Sequence, residues 1–185
     1  GDTPMKGYVR VALDIATWAS PILGLAIVGW FLVRPLVQRR GLTTEGMLLL
    51  ACLCLYFPYD IVNDYTANLF QYNAHFWNRG SWLGAIPGTL LPNAYKVPEP
   101  IFFMLPAYAW GVFMPCIIGA WCLRRLRARK PHLSNAAIVG IVLLGMCVID
   151  LILEGGVIQL EIEGYPGASH PGSLNAGSVH QFPAY

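Results

Sequence analysis

Charge is what this 185-residue chain has least of. Asp, Glu, Lys and Arg together make up 12% of it, against 56% hydrophobic residues. A soluble globular domain carries about twice that charged fraction, so an ordinary water-facing exterior is excluded. The net charge of +2 gives no electrostatic case for a nucleic-acid partner. Disulfides and zinc are not called for either. Cys52, Cys54, Cys116, Cys122 and Cys147 all fall in apolar stretches, where a thiol behaves as a small hydrophobe, and no Cys/His spacing resembles a zinc site. There is no internal repeat and no nucleotide or redox-cofactor motif.

What is there is apolar sequence in long runs. A membrane-crossing helix needs about 20 mainly apolar residues. Four segments qualify, roughly 12–34, 46–66, 101–123 and 136–158. They predict an all-α, polytopic transmembrane helical bundle forming one membrane domain over 1–185. The first segment is too long for a signal peptide and lacks a small-residue cleavage site. The opening GDTPMKGY and closing QFPAY read as the ends of an internal fragment.

Topology follows from the basic residues. Arg34, Arg39 and Arg40 follow the first segment, and Arg124, Arg125, Arg127, Arg129 and Lys130 follow the third. Alternating spans put both clusters on one side, which the positive-inside rule makes cytoplasmic. The loops 34–45 and 124–134 are therefore expected inside. Loop 67–100 and the tail 159–185 are expected outside, with the chain integral to the plasma membrane. The 67–100 connection is rich in Trp, Tyr, Asn, Gly and Pro, and reads as an aromatic cap with Trp77 and Trp82 at headgroup level. The Gly/Pro/Ser-rich tail reads as irregular.

The few acids are placed unevenly. Asp60 and Asp64 are an i, i+4 pair in the second segment, and Asp150 and Glu154 are another in the fourth. Asp60 and Asp150 each lie about 15 residues up their helices, roughly 22 Å from the inner face at 1.5 Å per residue. Asp14 and Glu99 belong to the same layer. An ionisable group at that depth normally has a partner or a function. Paired buried carboxyls can divide the labour of general acid and general base. The plainer alternative is that they cap or cross-link helix ends through loop amides and tyrosine hydroxyls. Proton translocation is a further alternative, weakened because the inner halves hold almost no ionisable groups. Candidate catalytic residues are Asp60, Asp64, Asp150 and Glu154. Tyr56, Asn63, His75, Trp77 and Glu99 are candidates for substrate binding. His75 alone reads equally as a loop histidine bonded to backbone. No residue spacing demands a metal, and none is expected. Pro21, Pro106 and Pro115 are expected to kink their helices.

Several stretches carry a family resemblance. RGLTTEGMLLL leads into a helix ending PYDIVNDY, followed by QYNAHFWNRGSW, IPG, LPNAYKVPEPIFFMLPAY and RRLRARKP. Together, from the first basic cluster to the fourth helix, they resemble the AveC-type spirocyclases, membrane proteins associated with polyketide spiroketal formation in actinobacteria. The resemblance implies acid–base cyclisation of a lipophilic hydroxy-ketone to a spiroketal, with dehydration in some members, and needs no cofactor. It does not itself assign catalytic residues here, and a shared fold need not carry a shared reaction.

The expected partners are a lipophilic small-molecule substrate and membrane lipid. The sequence does not fix an oligomeric state. Two non-enzymatic readings stand beside the cyclase. One is a lipid- or partner-binding membrane subunit of a transport or biosynthetic complex. The other is an ion-coupled transporter, for which inverted repeats are not visible.

Overall fold

The structure is a computed structural model describing residues 5–61, 71–77, 83–85, 87 and 93–183, with only the backbone of 60, 61 and 83. Four helical stretches carry the fold. α1 runs Gly7–Val37, α3 runs Ile101–Arg129 and α4 runs Asn135–Gln159. Between them α2 covers Thr44–Leu55 and continues as a wider π-helical turn over Tyr56–Ile61. α1, α3 and α4 are long and apolar enough to cross a membrane, whereas the described part of α2 is shorter. Its expected continuation to residue 66 lies outside the described residues.

The helix starts follow ordinary capping chemistry. Thr43 accepts the Gly46 N–H at the start of α2, and Ser134 accepts the Ala137 N–H at the start of α4, each side chain satisfying one orphan first-turn donor. Prolines explain part of the irregularity inside the helices. π-helical turns occupy Gly29–Val33 in α1 and Tyr108–Phe113 in α3. Pro35 and Pro115 follow these turns. A proline cannot donate to the carbonyl four residues back and its ring crowds that carbonyl, which is Phe31 in one case and Gly111 in the other. Widening the turn relieves the clash.

α3 is the centre of the bundle. Its first half packs along α1 through small residues, as membrane helices do. A Cβ on Gly24 would stand 2.6 Å from the Pro106 Cβ, so the two backbones meet closely there. One turn earlier the buried Ser20 hydroxyl donates to the Phe103 carbonyl at 2.6 Å and accepts from the Trp110 indole N–H at 2.9 Å. The middle of α3 meets α2 in a core of Leu49, Cys52, Ala109 and Phe113, with Phe31 of α1 edge-on to Phe113 at 5.0 Å. The second half of α3 carries α4.

Two pieces of non-helical chain close the end where α3 begins. Residues 71–77 fold back so that Tyr72 and Phe76 join a core with Val9, Leu13, Phe103 and Ile162. Phe76 stacks on Phe103 at 4.9 Å. The strand Gln71–Tyr72 (β1) pairs antiparallel with Glu163–Gly164 (β2) from the tail. The tail, expected to be irregular, adds a second pair, Ser173–Leu174 (β3) with Phe182–Pro183 (β4). Buried Gln181 staples it, accepting from the Gly177 N–H at 2.7 Å and donating to the Ala168 carbonyl at 2.9 Å. Lys6 anchors the tail to the start of α1 by a 2.5 Å contact with Glu161. That contact is the main cause raising the lysine's pKa.

Candidate active site

The C-terminal half of α4 stands away from the π-helical turn of α3 and leaves a cavity of about 260 Å³. Asp150 and Glu154, one helical turn apart, line its α4 wall with Leu153 and Val157. Phe103, Met104, Trp110 and Val112 make its apolar side on α3. Tyrosines come from every direction: Tyr59 from α2, Tyr72 from β1, Tyr108 from α3 and Tyr165 from the tail. Glu163 of β2 adds a third carboxyl.

The tail roofs this space. The Tyr165 hydroxyl donates to Oε1 of Glu154, across the gap between tail and helix. Burial, reinforced by Glu163 and Glu154, raises the Tyr165 pKa, so its hydroxyl stays protonated and remains a donor. Tyr72, Glu163 and Tyr165 also line a larger cleft of about 500 Å³ on the far side of the tail. These three residues form the partition between the cavity and that cleft. On the opposite side, Gly111, Asp150 and Leu153 are shared with a cavity of about 230 Å³ that continues between α3 and α4 past Pro115 and Cys147.

The expected site residues divide into groups. Asp150 and Glu154 lie together on the cavity. Tyr56 and Glu99 form a separate layer behind it. Glu99 is buried at 2% exposure, and the Tyr56 hydroxyl donates to its Oε1 at 2.5 Å. The Tyr56 ring lies edge-on to Tyr108 at 5.7 Å, and Tyr108 in turn faces the cavity. His75 and Trp77 do not line it. His75 is exposed and its backbone N–H donates to Asn73 Oδ1. Trp77 is half exposed and lies 4.7 Å from the Phe102 ring. Asp14 is exposed on α1. Asn63, Asp64 and Trp82, and the side chain of Asp60, lie outside the described residues, although neighbouring Tyr59 reaches the cavity. Among the described residues, no three or more His, Cys, Asp or Glu side chains converge as metal ligands would.

Sequence reasoning did not single out Glu163 and Tyr165. The signal was an alternation of acids and an aromatic in EIEGY directly after the fourth apolar run, inside a tail whose glycines and prolines read as irregular.

The class of protein is thus a mainly helical bundle with three helices of membrane-crossing length around a tyrosine-rich cavity lined by carboxyl groups. The family model for spirocyclase AveC-like proteins matches residues 38–185, from the end of α1 through the tail. The chain belongs to the AveC-like spirocyclase family. No curated protein and no solved structure matches it.

Proposed function

We propose that this protein is an integral membrane cyclase that closes a lipophilic hydroxy-ketone into a spiroketal by acid–base catalysis in the cavity between α3 and α4. The observation that carries the proposal is the pairing of Asp150 and Glu154 on one wall of a space otherwise lined by apolar groups, tyrosines and Glu163. Apolar walls suit a carbon skeleton, while the carboxyls and phenols supply the proton transfers that ketal formation needs.

Glu154 is held toward the tail by the Tyr165 hydroxyl on its Oε1. Of Glu154 and Asp150, one donates a proton to the ketone oxygen and the other takes the proton of the attacking substrate hydroxyl. Attack by the first hydroxyl gives a hemiketal. Protonation of its hydroxyl releases water and leaves an oxocarbenium ion, and the second hydroxyl closes the other ring as its proton passes to the base. The balance is one dihydroxy-ketone to one spiroketal and one water, with no net proton change. Aromatic faces such as Trp110 stabilise the cationic intermediate. Asp60 and Asp64, close in sequence to Tyr59, belong to the same acid layer in this proposal.

In the membrane, the basic loops 34–45 and 124–134 are cytoplasmic and the acid cavity lies in the outer half. Substrate enters from the bilayer between α3 and α4, where the smaller cavity past Pro115 meets Asp150. The test is turnover of an open-chain dihydroxy-ketone by purified protein. Asp150→Asn and Glu154→Gln are each expected to lower the rate by about 10²- to 10⁴-fold with unchanged elution as a folded species. Full activity in both variants would sink the mechanism.

One observation favours the second reading, a lipid- or partner-binding subunit. Most of α4 is exposed apolar surface, with only 6% of its most apolar stretch buried. A subunit of that kind would show no turnover in wild type or variant.

A further inference from the structure

At the end of the bundle away from Asp150 and Glu154 lies another cavity, of about 470 Å³. Three arginines reach it from three segments: Arg34 near the end of α1, Arg40 from the connection to α2, and Arg124 from late α3. Thr43 and Thr44 bring the first turn of α2 to the same space, with its positive dipole end and outward N–H groups. Glu45 is the one acid among the lining residues. No carboxylate among the described residues lies within 4.0 Å of Arg34, Arg40 or Arg124, the ion pairs there being Lys6 and His180 with Glu161. Three guanidinium groups thus line one cavity with a single carboxylate, Glu45, which lies beyond ion-pair distance of all three.

Apart from Gln38, the rest of the lining is apolar: Trp30, Phe31, Pro35, Leu48, Ile117 and Ala120. The Arg34 guanidinium lies over the Trp30 ring at 4.1 Å. Stacking holds the plane against the aromatic face while the N–H edges stay available for an oxyanion. A cationic rim beside an apolar floor matches an amphipathic anion.

We infer that this cavity binds the phosphodiester headgroup of an anionic phospholipid, with the acyl chains lying along the apolar floor. Free phosphate would satisfy the arginines but leave the floor unused, so the two sources of the same chemistry are separable. The inference rests on the membrane placement of the helices and is independent of the cyclisation chemistry. Its readout is binding, so failure of the cyclase proposal leaves it standing.

The experiment titrates the purified chain in detergent with phosphatidylglycerol, with phosphatidylcholine of the same chains, and with inorganic phosphate. Bound lipid is followed by native mass spectrometry and by melting temperature. Phosphatidylglycerol is expected to bind at least about tenfold tighter than phosphatidylcholine. Arg34→Gln, Arg40→Gln and Arg124→Gln are each expected to weaken it roughly fivefold. The double variant Arg125→Gln/Arg129→Gln, which removes two charges outside the cavity, is expected to keep wild-type preference. If Arg34→Gln fails to fold without its stack on Trp30, Arg40→Gln carries the test. Equal affinity for the two lipids, or an equal loss in the control variant, overturns the site. Full stabilisation by inorganic phosphate alone overturns the lipid as its occupant.

Discussion

α3 and α4 are similar in length and both strongly apolar, yet they are held in different ways. α3 has helical neighbours along its whole course, and 28% of its most apolar stretch is buried. α4 has its main helix contact with the second half of α3, and the corresponding figure is 6%. The helix that carries Asp150 and Glu154 is therefore the one least fixed by helix packing. Its C-terminal end is positioned by the tail instead, through Tyr165 on Glu154, β2 against β1, and Lys6 on Glu161. The cavity occupies the space that helix packing leaves open there. A rigid scaffold on one side and a polar strap on the other is an arrangement in which a site can admit a bulky ligand without loosening the core.

Truncation of the scaffold is expected to have the largest effect. Phe113→Ala removes a fully buried ring between α1, α2 and α3, and should cost about 3–5 kcal/mol, read as a large fall in the melting temperature of detergent-solubilised protein. A change below about 1 kcal/mol would remove the distinction between the two helices.

Tyr165→Phe takes away the strap's donor to Glu154 while keeping its ring. A hydrogen bond to a charged group contributes about 1.5–3 kcal/mol, so turnover should drop roughly ten- to a hundredfold, mostly in kcat, with the fold intact. The same contact gives a pH dependence. The Tyr165 pKa is raised above the ordinary 10.0, so its stabilising contribution is fully present below that value and is lost as pH rises above it. Protection of the tail from protease should therefore fall above about pH 10 in wild type, and Tyr165→Phe should lack that step.

The smallest effect is expected on the outer face of α4. Leu144 is 67% exposed, and Leu144→Ala should shift stability by less than about 0.5 kcal/mol. A large loss would mean that this face is covered by protein.

Much of the scaffold was legible in the sequence because its signals are local. The expected spans 12–34, 101–123 and 136–158 lie within α1, α3 and α4, for lengths of apolar sequence need no knowledge of neighbours. The fit of Gly24 against Pro106 and the roof over the cavity depend on which segments meet, and a single chain does not display that. Glu99 illustrates the limit. Its position just before α3 suggested the same layer as Asp150, whereas its burial against Tyr56, behind Tyr108, is a product of tertiary packing. That Asp150 and Glu154 share one face of a helix was legible because i, i+4 spacing is itself local. Tyr165 was not, because its partner is brought to it by the β1–β2 pairing.

Mass spectrometry of the small molecules that co-purify with wild type and with Glu154→Gln tests most directly whether the α3–α4 cavity performs acid–base cyclisation. The variant should retain an open-chain hydroxy-ketone, and wild type its cyclised product, lighter by one water. Phospholipid alone in both preparations would contradict the cyclase and leave a lipid-binding subunit.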